Sequence, residues 1–144
     1  MIVGFGIDIV AVAEVESSIK MYGDRYLERI FTAREVEYCR NAGNAGQRYA
    51  ARVAVKEAAM KALGTGWDQE VEWLSFEVVN GPAGPPSLFM HGAAAELAAQ
   101  NRIARSWISL SHRADYAMAA VVFETDALSV HRHKRKWFVF RDQR

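Results

Sequence analysis

The stretch RYAARVAVKEAAMKALGTG, residues 48–66, decides how the rest of the chain is read. From Gln47 to Leu63 it is rich in alanine and free of Gly and Pro, so it predicts one long helix. Gly64 stands where a helix C-terminus takes glycine. At 1.5 Å per residue the helix is about 25 Å long. Glu57 and Lys61 are four apart on one face, and Arg48, Arg52 and Lys56 form a neighbouring stripe. Such charges ordinarily make a solvated face with one i,i+4 ion pair. Here the cations outnumber the single acid, Glu57, and the helix runs into a Gly-rich turn, which also suits a polyphosphate ligand.

Outward from this helix the chain alternates between two periodicities. Residues 2–10 (IVGFGIDIV) are Val/Ile-rich and short, as a strand requires. Residues 13–22 turn helical, and Tyr26, Leu27, Ile30 and Phe31 continue with helical spacing. Thr32 is an N-cap, with Glu35 completing a capping box for a helix through Arg40. NAGNAG (41–46) breaks that helix. Beyond the GTG break (64–66), residues 71–79 and 87–91 read as a hairpin around NGPAGPP (80–86). Residues 92–101 form an Ala-rich helix, and 106–111 and 116–124 are two further strands. This order is an α+β arrangement: a long central helix packed on a mainly antiparallel sheet, in one domain, residues 1–125.

Composition bounds the function classes. The chain has 144 residues, 51% hydrophobic and 24% charged, enough for a core without disulfides, and its single cysteine, Cys39, excludes a disulfide framework and a Cys-rich zinc site. No run is long enough to span a membrane, and nothing at the N-terminus resembles a signal peptide, so the expected location is cytoplasmic. Residues 126–144 hold six Lys/Arg against two Asp. That leaves 12 basic and 15 acidic residues before them, out of 18 and 17 in all. A mildly acidic body with a basic extension argues against nucleic-acid binding over the whole surface. The extension reads as a mobile tail, with a docked terminal strand or a contact to an acidic partner as alternatives.

Two more positions call for chemistry. Asp8 is a carboxylate inside an apolar strand; it is costly to bury unless paired or metal-bound, and otherwise faces water at the strand end. Asp8 and Glu57 together could hold Mg²⁺, with phosphate oxygens and waters completing the shell. His112 sits in SLSHRAD at a strand boundary beside Ser109, Ser111, Arg113 and Asp115, whereas His91 reads as structural.

Three elements together, G-I-D-I (Gly6 to Ile9), A-R-V-A-V-K-E-A-A-M-K-A-L-G-T-G (Ala51 to Gly66) and S-L-S-H (Ser109 to His112), resemble the holo-acyl carrier protein synthases, the small single-repeat phosphopantetheinyl transferases. The resemblance covers residues 1–124. It implies transfer of 4′-phosphopantetheine from coenzyme A to a serine of apo-acyl carrier protein, with adenosine 3′,5′-bisphosphate leaving. It also implies that Asp8 and Glu57 bind Mg²⁺ on the pyrophosphate, that Lys61 neutralises charge there, and that His112 contacts the cofactor phosphates. Arg52 would help hold coenzyme A, and Gly64 and Gly66 let the backbone approach it. Glu57, Lys61 and His112 are then the catalytic set. The family places carrier-protein contacts where Lys20, Met21, Arg25, Tyr26 and Arg29 stand here, although an ordinary amphipathic helix would look similar. The resemblance further implies a homotrimer with sites at subunit boundaries and a role in fatty-acid biosynthesis.

Three features depart from the family's pattern. Val53 replaces an aromatic, Gly84–Pro85–Pro86 lacks the basic residue of that turn, and residues 126–144 run past the usual end. A catalytically idle binder of coenzyme A or carrier protein, and a nucleic-acid-associated protein acting through the tail, are the competing readings. Retention of Asp8, Glu57, Lys61 and His112 together argues against the first.

Overall fold

The computed structural model describes residues 1–65, 71–81 and 84–126. Strand β1 (Ile2–Ala11) leads into α1 (Val12–Tyr22), α2 (Asp24–Ile30), α3 (Ala33–Arg40) and the central α4 (Ala45–Leu63). A 3-10 turn (Trp73–Ser75) then opens the hairpin β2 (Phe76–Asn80) and β3 (Pro86–Met90), followed by α5 (Gly92–Gln100), β4 (Arg105–Arg113) and β5 (Tyr116–Glu124). The strands form an antiparallel sheet ordered β1-β5-β4 and a separate antiparallel pair β2-β3.

Alternation along β1 explains how the sheet meets the helix. Gly4, Gly6 and Asp8 face α4, while Phe5, Ile7 and Ile9 project from the opposite face. A Cβ at Gly4 would stand 2.3 Å from the Ala62 carbonyl oxygen, and one at Gly6 2.0 Å from that of Ala58. Strand and helix backbones therefore touch directly, with only glycine and alanine between them. The two run antiparallel, because rising numbers on β1 meet falling numbers on α4. Behind this contact, α4 separates two cores. One joins Val12, Val15, Leu27, Ile30, Phe31 and Tyr49 under the first three helices. The other joins Val55, Phe76, Val78, Leu88, Val121 and Phe123 beneath the sheet and hairpin.

Several sequence expectations are refined here. The Thr32–Glu35 capping box is present, and Gly64 closes α4 in the left-handed conformation (φ 73°, ψ 22°). The helical run 13–31 is two helices. Gly23 at φ 57°, ψ −136° turns the chain between them, a region that only glycine enters freely, and Phe31 is extended. Residues 71–79 are not strand throughout: Trp73–Ser75 coil as 3-10, and pairing begins at Phe76 opposite Met90. Gly66 and the extension beyond Asp126 lie outside the described residues.

The solvated face expected for α4 is corrected. Tyr49 through Lys56 are all buried, because the sheet takes one side of the helix and α1, α3 and the hairpin take others. Lys56 and Glu35, each 0% exposed, form an ion pair of 2.7 Å. The Lys56–Glu35 ion pair ties α3 to α4 inside the molecule, and the same Glu35 closes the capping box of α3.

Two expectations follow from this packing. Gly6→Ala should lower stability by about 1–3 kcal/mol in urea denaturation, as an overpacked contact does, whereas Gly43→Ala, whose Cβ meets nothing within 4 Å, should change little. Burial pushes the Cys39 thiol up to about 11, above the ordinary thiol range. The unfolded chain then loses this proton first, so the contribution of Cys39 to stability should fall as pH rises from about 9 to about 11. A Cys39→Ala variant should show a flatter stability profile in that window.

Candidate active site

Antiparallel packing of β1 on α4 carries Asp8 past Ala58 to the helical turn that bears Glu57 and Lys61. Lys61 Nζ donates to Asp8 Oδ1 at 2.6 Å and to the Ile7 carbonyl at 3.2 Å. The Asp8 carboxylate is nearly buried, and its second oxygen, Oδ2, has no hydrogen-bond partner among the described residues. A buried carboxylate oxygen without a donor is costly unless something positive reaches it. Glu57 lies one helical turn before Lys61 and is partly exposed.

These carboxylates fit a divalent ion. A hard cation takes oxygen ligands, and Mg²⁺ is commonly held by one or two carboxylates with phosphates and waters supplying the rest. No group of three or more His, Cys, Asp or Glu able to hold a metal occurs among the described residues. The chain thus offers Asp8 and Glu57, and a bound phosphate would have to supply further ligands.

Tyr26, expected on the docking surface, also borders this site. Burial raises its phenol above the ordinary tyrosine value, and the negative charge of Glu57 raises it further. Its ring packs edge-on to Phe31 at 6.3 Å. Lys20 and Met21 at the end of α1, and Arg25 and Arg29 on α2, are exposed beside it, with Met21 71% exposed.

Arg52 lies elsewhere. It is 3% exposed, its guanidinium stacks 4.3 Å from the Tyr38 ring centroid, and Nη2 donates to Asn80 Oδ1 at 2.6 Å. Its Nε is buried without a partner among the described residues. Arg48 stacks on the same ring and donates to the Tyr38 hydroxyl. Asn80 ends β2 opposite Pro86 of β3, so Arg52 is tethered at the base of the turn that contains Gly84 and Pro85. Arg52 is therefore turned away from Lys61, because residues 52 and 61, nine positions apart at about 100° each, lie on opposite sides of the helix.

His112 faces the same side of the sheet as Asp8, but on the outer strand. It is opposite Ala117, which pairs with Val10, whereas Asp8 pairs with Ala119. Two strand spacings and one side-chain pair separate the two residues, about 12 Å between backbones. A cleft of about 840 Å³ opens at this end of the sheet, between the starts of α1 and α4 and the β4–β5 turn, lined by Glu16, Asn44, Gln47, Asp115 and Tyr116 among others. Within one chain, then, Lys61 joins Asp8 to the helix face that bears Glu57, the charge of Glu57 reaches Tyr26, and His112 stands apart from Asp8. Sequence reading missed Asn80, Tyr38 and the Lys56–Glu35 pair, since no local pattern marks partners 14 to 28 residues away from Arg52 and 21 from Lys56.

Comparison with known proteins gives the family and the fold. Residues 4–121 match the 4′-phosphopantetheinyl transferase superfamily. A holo-acyl carrier protein synthase of Koribacter versatilis is 48% identical over 124 residues, covering 86% of this chain and 99% of that protein. The crystal structure of the synthase from Neisseria meningitidis superimposes with a TM-score of 0.79 at 32% identity, over 87% of this chain and 100% of that one. The Helicobacter pylori synthase, solved in complex with coenzyme A, gives a TM-score of 0.73 at 30% identity, over 83% and 99% of the two chains. The chain belongs to the 4′-phosphopantetheinyl transferase superfamily. Within it, it belongs with the holo-acyl carrier protein synthases.

The Asp8–Lys61 contact is open to a double-mutant test. Lys61→Met leaves both Asp8 oxygens without Lys61 and should cost about 1–3 kcal/mol; Asp8→Asn in the same background should recover part of that loss, measured by urea denaturation.

Proposed function

We propose that this protein transfers 4′-phosphopantetheine from coenzyme A to a serine hydroxyl of apo-acyl carrier protein, releasing adenosine 3′,5′-bisphosphate. The serine oxygen forms a bond to the pantetheine-side phosphorus as the bond from that phosphorus to the bridging oxygen breaks. The observation that carries this reading is the Asp8 carboxylate, buried against Lys61 on the turn that bears Glu57, with one oxygen left without a donor.

Asp8 and Glu57 would hold Mg²⁺, whose chemistry, when bound, is to neutralise pyrophosphate oxygens and stabilise charge developing on the leaving group. Lys61 adds an ammonium on the same side, in contact with Asp8. The serine proton passes to Glu57 or to a water beside it. Arg52, with its buried unpartnered Nε beside the hairpin turn, is suited to an anionic group of coenzyme A. Gly64, which closes α4 in the left-handed conformation, puts no side chain between the backbone and the ligand. Lys20, Met21, Arg25, Tyr26 and Arg29 form the carrier-protein surface; the partner is acidic, so exposed Arg25 and Arg29 favour encounter, and Tyr26 carries that surface to Glu57.

The active assembly is a homotrimer. Phe5, Ile7, Ile9, Trp107 and Met118 form an exposed apolar face on the side of the sheet away from α4, with Ile7 and Trp107 each 57% exposed. An apolar patch of this kind marks an interface. Copies of this chain cover it, and His112 of a second subunit serves the phosphates bound at Asp8 and Glu57. No helix among the described residues is long and apolar enough to cross a membrane, and the enzyme works in the cytoplasm, in fatty-acid biosynthesis.

Mass spectrometry of apo-carrier protein incubated with this protein, coenzyme A and Mg²⁺ should show the gain of one phosphopantetheine; an unmodified serine would refute the assignment. Glu57→Ala and Asp8→Ala should each lower kcat about a hundredfold or more, as loss of charge stabilisation at the reacting group does. Arg29→Glu should raise KM for the carrier protein and leave that for coenzyme A nearly unchanged.

A further inference from the structure

Lys56 precedes Glu57 and takes no part in the chemistry above, yet all three of its ammonium hydrogens are engaged inside the molecule. They reach Glu35 Oε2 at 2.7 Å, the Ile30 carbonyl at 2.7 Å and the Trp73 carbonyl at 3.3 Å. Glu35 in turn accepts from the Thr32 amide and from the Val78 amide, each at 2.9 Å. Thr32 Oγ1 continues the network to Glu77 Oε1 at 2.9 Å. One buried pair thereby joins the last residue of α2, the first turn of α3, the 3-10 turn and β2 to a single position on α4.

Stability alone does not account for this choice of residues. A well-packed apolar pair of similar volume is often as stabilising as a buried ion pair, because desolvation offsets the Coulombic gain. An apolar contact, however, tolerates sliding and rotation, whereas hydrogen bonds on both charges do not. The location matters as well. Successive helical residues are about 100° apart, so Lys56 and Lys61 grip α4 on flanks about 140° apart, and Glu57 lies between them. The Lys61 grip is to Asp8 and the Lys56 grip is to Glu35. Glu57 is thus held in azimuth from both sides. The end of α2, which carries Tyr26 toward Glu57, is fastened by the same ammonium through Ile30.

We propose that Lys56, through its buried pair with Glu35, is a positioning residue for Glu57, fixing the rotation of α4 and the seat of α2 against it. The inference rests on the transferase reading, in which Glu57 is a metal ligand. It is tested on the full-length protein with Lys56→Met, Glu35→Gln and the double variant Glu35→Gln/Lys56→Met. The double variant removes both charges and so avoids stranding either one should Lys56→Met fail to fold. Circular dichroism establishes the temperature at which each variant is fully folded, and kinetics are measured there. The double variant should lose about tenfold or more in kcat, with KM for coenzyme A within about threefold of wild type, the signature of misplacement rather than lost binding. Binding of Mn²⁺ in the presence of coenzyme A, followed by water-proton relaxation, should weaken by about fivefold or more. Glu35→Gln alone, which keeps an acceptor for Lys56, should lose less than the double variant. Wild-type kcat and wild-type Mn²⁺ affinity in the folded double variant would overturn the inference while leaving the transferase reading intact. Absence of transfer and of coenzyme A-dependent Mn²⁺ binding in the wild-type protein would instead sink the transferase reading, and this inference with it.

Discussion

The fold depends on a backbone-to-backbone contact between its first strand and its longest helix. Gly4 and Gly6 let β1 lie against the carbonyls of Ala62 and Ala58, at distances that no Cβ would allow. Asp8 follows two residues later on the same face, so the spacing that removes two side chains also delivers a carboxylate to the turn bearing Glu57 and Lys61. A bulkier residue at either glycine would lift the strand and carry Asp8 away from Lys61. Packing and chemistry are therefore set by one alternation along β1.

The helix that receives this strand sorts its charges by direction. Lys56 points into the helical layer and is fully consumed there by Glu35 and two carbonyls. Arg52 and Arg48 stack on Tyr38 near the hairpin turn. Lys61 meets Asp8, with Glu57 on the same turn. A row of cations that looks uniform in sequence is thus three separate devices: a buried anchor, a stacked guanidinium pair beside the hairpin turn, and an ammonium at the site. Of the three, Lys61 contacts Asp8, the carboxylate proposed above as a metal ligand. The apolar outer face of the sheet is the complementary fact: one chain leaves Phe5, Ile7 and Ile9 exposed and holds His112 apart from Asp8.

Much of the fold is legible residue by residue because its signals are local. The capping box of Thr32 and Glu35, the glycine ending α4 and the alternation of β4 and β5 each depend on neighbours within a few positions, and each is found where expected. Where long-range packing competes, the reading is coarser. Residues 71–79 look like one strand, yet Trp73–Ser75 coil, and the Trp73 carbonyl reaches Lys56 across 17 residues. The solvated face expected for α4 is likewise overruled, because the helix is enclosed on several sides at once and no periodicity announces that.

What the sequence by itself determined is the identity and order of the groups proposed for the site, the carboxylates at 8 and 57 and the ammonium at 61, and of the glycines that allow strand and helix to close. Side-chain chemistry and spacing are properties of the chain, and so is the family resemblance they carry. Tertiary structure alone decided which charges work outside and which are spent inside. Lys56 and Lys61 are the same residue type on one helix; their surroundings seal the first against Glu35 and two carbonyls and leave the second partly open beside Asp8. That difference is one of desolvation and partner geometry, and it exists only once distant segments have met.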